Sequence, residues 1–495
     1  MNRCSIIDRT IITSIMLLGS VVVSDGPQRC LGSPPLAKTS ANATAAKTAS
    51  EQYRTNPFVI TLQQRVPEHD NRGSLFACEL DGDGQIDFLV TSPGAVGAYG
   101  HDGELLWVKH DDIRLSRSAN GGTGYPGMQA PGAIVGAHDG NSFVAYLTNQ
   151  GKLMIRSGRT GELERAFDFP GGQGLAIANL RGQGDQDAVI QYSQRELRAV
   201  NLISGETLWH TKDWFGIEHS QVRTADVDGD GLDEVLGPIL LDAKGNRIGS
   251  WDLKRDRGTY LRSLDSLAVG DIVPGNPLEI VLAEQGGNNE AIAFNVKQIL
   301  WGRRRDNIPP TGQCARERDP DKIAVGDFDP DSPGLEVFAR SACGHEPWIM
   351  NSSGKIIATW RVLDTAPEGW CTVESESHPD VEGGIDVVRA IDWVGDASRR
   401  HLFVKERHLD GKAAIVDPLD GQFLKVFDVQ ATRTYSADIS GDFREEVVIV
   451  EAGDRGEARL KIFWNAADAE VPGLPSPWDD ALYRRLKQNW NYYSP

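Results

Sequence analysis

The sequence predicts an all-β fold, a single β-propeller of eight four-stranded antiparallel blades. Three observations predict it: an acidic Asp/Gly loop recurs along the chain, the copies are spaced about 45 residues apart, and each is flanked by short apolar runs of strand character. The copy ADVDGDGLDEV, residues 225–235, crowds Asp226, Asp228, Asp230 and Glu234 around Gly229 and Gly231. Carboxylates this close repel one another, so the folded loop needs a cation or a well-solvated turn. Glycine allows the positive-φ turns that fold such acids inward. It is not an EF-hand, which closes with a bidentate Glu at its twelfth position; here that position is Gly237. Solvated Asp/Gly turns are common, so recurrence carries the argument.

The loop returns in altered form as CELDGDGQIDFLV (Glu79, Asp81, Asp83, Asp87), ANLRGQGDQDAVI, GDIVPGNPLEIVL (Asp271, Glu279), GDFDPDSPGLEVF (Asp327, Asp329, Asp331, Glu336), IDWVGD and ADISGDFREEVVI (Asp438, Asp442, Glu446). With Glu79, Asn179, Asp226, Asp271, Asp327, Asp392 and Asp438 as markers, the steps are 100, 47, 45, 56, 65 and 46 residues. The first step holds two units, the extra one being APGAIVGAHDGNSFVAYL. The first unit shows the plan: strand SLFACEL, acidic turn, strand IDFLVTS, then the hairpin AVGAYGHDGELLWVKH. The predicted units are 72–116, 117–170, 171–216, 217–256, 257–304, 318–364, 383–429 and 430–467. The preceding strand PFVITLQQ, 57–64, is expected to close the ring by pairing with the last unit. Two separate β-domains are the alternative, although no linker-like gap divides the middle. Several acidic loops are expected to hold Ca2+, with Glu79, Asp81, Asp83, Asp87, Asp226, Asp228, Asp230, Glu234, Asp327, Asp329, Asp331, Glu336, Asp438, Asp442 and Glu446 as ligands. The third unit, with Arg181 and Gln183 in ligand positions, is expected to have lost its metal.

Length and composition bound the rest. A chain of 495 residues with 53 Gly and 12 Trp is that of a soluble, turn-rich β protein, and a net charge of -19 argues against nucleic-acid binding. Residues 1–25 have basic residues, an apolar run from about Ile11 to Val23 and a small, polar exit, the layout of a secretory signal. That run falls short of the roughly 20 residues of a spanning helix. A secreted or periplasmic protein with no membrane span in its mature chain is therefore expected. Residues 26–54 read as a disordered leader, 55–470 as the propeller and 471–495 as a tail packed on it; a monomer is favoured. Cys78 reads as a buried thiol in an apolar strand, and one disulfide among Cys314, Cys343 and Cys371 is compatible with export, its pairing open.

Turns between strands one and two, which carry the acids, share one face of a propeller with those between strands three and four. The other face receives the two long insertions, 303–322 and 363–384, and a set of basic, His and Tyr residues, His219, Arg223, Tyr260, Arg262, His345, Arg389, Lys405, Arg407, His408 and Tyr435, with the acids Glu346 and Asp386 beside them. Such a set suits an anionic, hydroxyl-rich ligand. Uronic-acid polysaccharides are cleaved by β-elimination, which needs the sugar carboxylate neutralised and a base to take the C5 proton. No serine nucleophile elbow, P-loop or dinucleotide fingerprint stands in the required context.

The second half resembles the bacterial rhamnogalacturonan lyases of polysaccharide lyase family 11. The matching stretches come in that family's order: GDFDPDSPGLEVF, GHEPW, IDVVRAIDW, ADISGDFREEV leading to LKIFW, and LYRRLKQNWNYYSP. The resemblance covers 320–495 best; before 215 only the acidic-loop blade also found in FG-GAP repeats is recognisable. It implies a calcium-dependent eight-bladed propeller that cuts the pectin backbone between rhamnose and galacturonic acid. It implies that His345 and Glu346 stand at a metal or substrate position, and that Asp386 and Arg389 face substrate, Arg389 neutralising the carboxylate or abstracting the proton. Asp438, Asp442 and Glu446 become calcium ligands or structural acids. After Arg389 the family has Gly and a full acidic loop, where this chain has AIDWVGDASRR. The expected function is thus a secreted, calcium-dependent lyase of an acidic, rhamnogalacturonan-like polysaccharide, with His219, Arg223, Arg262, Lys405, Arg407 and Tyr435 binding substrate. A non-catalytic propeller that binds carbohydrate or protein is the alternative.

Overall fold

The computed structural model describes residues 48–67, 72–115, 131–193, 195–216, 221–249, 251–257, 264–285, 288–305, 318–341, 345–370, 384–406, 411–453 and 455–490; of residues 386 and 387 only the backbone is described. The signal-like segment, Cys314, Cys343 and Cys371 lie outside this set. Among the described residues no helix is long and apolar enough to cross a membrane.

Among the described residues, seven four-stranded antiparallel sheets and one two-stranded sheet make up the ring. Six of the four-stranded sheets are meanders in which consecutive strands pair, as in blade 1, built from Leu75–Cys78, Asp87–Ser92, Ala95–Tyr99 and Leu105–Lys109. Blades 2 to 6 begin with the strands Ala133–His138, Gly174–Ala178, Leu264–Gly270, Pro320–Gly326 and Ile385–Ile391. Blade 7 contains Arg433–Ala437, Glu446–Ala452 and Ala458–Phe463, and its outer strand comes from the other end of the chain: Phe58–Leu62 pairs antiparallel with Ala458–Phe463, Phe58 opposite Ile462. The first two strands of blade 1 are buried throughout, whereas its fourth is partly exposed, with Leu105 49% accessible at the rim.

The expectation of eight blades is therefore corrected to seven. The unit at 217–256 pairs only Arg223–Ala225 with Glu234–Leu236. Gly237 and Pro238 follow at once, and proline has no N–H to donate to a sheet ladder. Beyond them the third and fourth strands shrink to single bridges, Val235 with Leu241 and Leu241 with Arg247. The hairpin still occupies a place in the ring between blades 3 and 4, sharing a core with blade 4 through Ala225, Leu236, Leu267 and Val269.

Much of the tryptophan serves to join neighbours. In blade 1 the fourth-strand Trp107 donates its indole N–H to the Gly158 carbonyl of blade 2 at 2.6 Å. The same latch recurs as Trp209 to Ala243 (2.9 Å), Trp251 to Asn295 (2.9 Å), Trp301 to Ser352 (3.0 Å) and Trp360 to Pro418 (2.9 Å). The indole lies against a turn glycine of the next unit: a Cβ on Gly354 would stand 2.8 Å from Trp301, and Gly354 has φ +77°. At the seam Tyr53 packs beside Trp464, ring centroids 5.7 Å apart, and Asn56 donates to the Trp464 carbonyl at 2.8 Å. Tyr53 follows a short helix, Ala49–Gln52, so the packed body begins before the closing strand.

Candidate functional site

The acidic loops divide their carboxylates between two tasks. The last acid opens the second strand and turns inward: Asp87, Glu234, Glu336 and Glu446 are at most 2% exposed. They accept backbone N–H groups from Leu80 (2.9 Å), Val227 (3.0 Å), Phe328 (2.9 Å) and Ile439 (2.6 Å), bracing each loop against its strand. Burial, with neighbouring acids adding, pushes Asp87 up to about 7 and Glu234 up to about 8. The remaining acids shape the turn. Asp226 accepts from Gly229 (2.7 Å) and Gly231 (3.0 Å), and Asp230 accepts from Leu232 (2.8 Å).

Two sets bring one carboxylate oxygen from each residue within 4.8 Å of one another: Glu79, Asp81 and Asp87, and Asp226, Asp228 and Asp230. All-oxygen donors on a flexible loop fit a hard dication. Asp83 faces His101 at 3.3 Å instead. Among the described residues Asp327, Asp329, Asp331 and Glu336 form no such set. In blade 7 the chain supplies its own partners, since Asp442 pairs with Arg444 at 2.6 Å and Asp438 accepts from Ser476 at 2.7 Å. In blade 3 the Arg181 guanidinium sits on Asp187 at 2.8 Å.

Of the residues expected on the opposite face, His219, Tyr260, Arg262, Arg407 and His408 lie outside the described residues, and Asp386 is placed only by its strand, Ile385–Ile391. His345 is 2% exposed, and its carbonyl accepts from Val362 at 2.9 Å. Glu346 accepts from Arg305 at 2.5 Å and faces Arg361 at 3.4 Å, a buried carboxylate between two guanidiniums. Lys405 is fully buried and donates to the Glu406 carbonyl at 3.3 Å. Arg223, also buried, is pushed down to about 9 by desolvation and stays cationic at neutral pH.

Arg389 and Tyr435 stand on the innermost strands of blades 6 and 7, where the C-terminal segment meets them. Arg389 is 3% exposed, donates to the Thr434 carbonyl at 3.2 Å, and stacks 4.1 Å from the Trp490 ring centroid. Trp490 also meets Tyr435 edge-on at 5.6 Å, and burial raises the Tyr435 phenol well above its ordinary value. The helix Ala481–Gln488 lies across the acidic-loop side of the hub. Its Arg485 binds Asp185 of blade 3 and Asp233 of the hairpin, both at 2.7 Å, while Lys487 binds Glu445 of blade 7 at 2.6 Å. Asn489 donates to the Thr224 carbonyl at 3.1 Å.

These tail contacts were missed by residue-type reasoning, which sought cations in loops. The available signal was the spacing Leu482, Leu486 with Arg485 and Asn489, a helical period inside a chain of strand periods. The other missed partners are Arg305 and Arg361 of Glu346, which lie far from it in sequence or across a turn.

The ring of blades and the polar groups gathered at both ends of its axis define a β-propeller protein with a hub closed on one side by its own tail. Within that class the chain is distantly related to rhamnogalacturonan endolyase YesW of Bacillus subtilis (strain 168), 24% identical over a 448-residue alignment that covers 75% of this chain and 64% of the relative. The match thus spans less than two thirds of that protein's length. Among solved structures, the chain is similar to rhamnogalacturonan lyase YesW with a TM-score of 0.59 at 19% identity, covering 89% of this chain and 81% of that one. Sqt1 of Saccharomyces cerevisiae gives a TM-score of 0.53 at 11% identity, covering 83% and 100%. These structural likenesses establish the fold alone. The relationship to rhamnogalacturonan lyases agrees with the resemblance read from residues 320–495. No protein-family model matches the chain.

Proposed function

We propose that this chain is an exported polysaccharide lyase that cleaves a uronate-containing, rhamnogalacturonan-like polymer by β-elimination. The observation that carries the reading is the distant relationship to a rhamnogalacturonan endolyase over 75% of the chain. In the reaction a base takes the C5 proton, the freed electron pair forms the C4–C5 double bond, the C4–O bond to the preceding sugar breaks, and the departing oxygen takes up a proton from the protonated base or from water. Arg389 is assigned the neutralisation of the uronate carboxylate or the proton abstraction, assisted by Asp386, His345 and Glu346. His219, Arg223, Arg262, Lys405, Arg407 and Tyr435 are assigned to substrate binding. Glu79 with Asp81 and Asp87, and Asp226 with Asp228 and Asp230, would hold Ca2+, which supplies charge that offsets their mutual repulsion.

Incubation with rhamnogalacturonan, polygalacturonate and ulvan, with and without calcium, tests the reading through the ultraviolet absorbance of the unsaturated uronide. Its absence on all three polymers overturns it. A chelator should lower the melting temperature, since a ligand held only by the native state adds stability by mass action. Asp228→Asn should shrink that shift; an unchanged melting curve after chelation removes calcium from the proposal.

A non-catalytic binding propeller is the second reading. The observation favouring it is that Arg389, the residue assigned to the reaction, is only 3% exposed and lies against the Trp490 ring at 4.1 Å. Binding of these polymers without any unsaturated product would select it.

A further inference from the structure

A cavity of about 780 Å³ opens at the seam where the ring closes, on the acidic-loop side and apart from the residues assigned to cleavage. Its walls come from three segments distant in sequence: the closing strand and the short helix before it, the first acidic loop with the neighbouring turn, and the tail beside the last acidic loop. The volume lies within the range of pockets that enclose small ligands.

Two aromatic walls are held in place before any ligand arrives. Trp478 is pinned through its indole N–H to the Asp438 carbonyl at 2.5 Å and set edge-on to Tyr483 at 5.2 Å. Phe58 is stacked on Tyr53 at 4.7 Å. Gln52, Gln85 and His101 add amide and imidazole groups to the lining, and Ser440 and Ser476 add hydroxyl oxygens whose hydrogens go to Glu446 at 3.0 Å and Asp438 at 2.7 Å. The ionisable lining comprises the acids Glu51, Asp102 and Asp438 and the bases Arg54 and His101. Fixed aromatic faces suit the C–H face of a pyranose, and the many short polar groups suit its hydroxyls. Three carboxylates beside one permanent cation disfavour a uronate, because a like charge brought among them is repelled.

We infer that this seam cavity is a binding site for a neutral, hydroxyl-rich sugar ring, stacked on Trp478 and Phe58, and separate from the site assigned to the acidic backbone. The inference stands on the lining chemistry and holds whether or not the chain cleaves a polymer. A neutral side branch of an acidic polysaccharide is the source that would serve both sites at once.

The test is calorimetric titration of the full chain with β-1,4-galactotetraose, arabinotetraose and L-rhamnose as neutral probes and tetragalacturonate as the acidic one, with tryptophan fluorescence read in parallel. At least one neutral probe should bind and perturb the fluorescence. Trp478→Ala should weaken that binding at least tenfold, and Gln85→Trp, which fills the cavity from a solvent-facing turn, should do the same while the melting curve certifies a folded protein. Arg389→Ala, which silences the proposed cleavage, should keep the neutral sugar bound, so loss of activity and loss of this site are told apart. No binding by any neutral probe overturns the inference. So does tetragalacturonate binding that is equally sensitive to both cavity variants, or neutral binding that neither variant weakens.

Discussion

Arg389 shows how far a single residue's role could be read before its surroundings were known. Its place in an Asp-x-x-Arg segment marked it, but the ring that covers it, Trp490, is about a hundred positions away and came from a tail whose contacts no local pattern specifies. If Arg389 acts on substrate, Arg389→Ala should reduce eliminative cleavage by about 10² or more, the scale of losing one transition-state donor, and Arg389→Lys should recover part of it. Equal activity in all three proteins would return Arg389 to a purely structural role. Asp392 offers a second residue-level check. Burial lifts its carboxyl to about 7, while Arg400 and a hydrogen bond from Gly395 at 2.8 Å pull the other way. Below the unfolded value of roughly 3.9 both states hold the proton and the group is neutral to stability. Between the two values only the native state keeps it, so stability falls as pH rises, and above 7 the loss is complete. Asp392→Asn should therefore flatten the decline in melting temperature between about pH 4 and 7, whatever its effect on the absolute value.

At the scale of the element, the acidic turn and the tryptophan latch are the repeating parts. The turn was legible because its charge and glycine pattern are local; its division into a buried brace and an exposed turn was not, since which oxygen meets which N–H depends on the strand pleat. The latch was present in the sequence as LLWVKH, TLWHT, GSWDL, ILWGR and ATWRV, but its meaning lies between neighbours. Trp301→Ala should cost about 3 to 5 kcal/mol in denaturant unfolding, the range for deleting a large buried aromatic. Gly354→Ala should destabilise as well, because the new Cβ meets Trp301 at 2.8 Å in a backbone conformation L-residues rarely adopt. A Gly354→Ala protein as stable as the parent would show that the latch tolerates slack.

For the molecule as a whole, period and strand pattern specified the propeller and its closing strand, while the count failed at one unit. Nothing in its acidic loop distinguishes 217–256 from its neighbours; only the Gly237–Pro238 pair after its second strand carries the difference, and the even spacing hid it. The hub was illegible for a related reason: Arg485, Lys487 and Asn489 reach three parts of the ring at once, blade 3, the hairpin and blade 7, and only closure brings those parts together. Removing residues 481–495 should lower stability by roughly 3 kcal/mol or more, because buried Asp233 would lose Arg485 and buried Glu445 would lose Lys487, keeping only the more distant Arg400 at 3.7 Å. A truncated chain melting with the parent would show that these carboxylates find water or other cations. The closing strand also sets a timetable for biogenesis. Phe58 cannot meet Ile462 until about 400 further residues have left the ribosome, which at roughly 5 to 20 residues per second takes on the order of 20 to 80 seconds. For that interval the nascent chain carries a strand with an open edge, and a helper that shields such edges until the circle can shut is what its biosynthesis calls for.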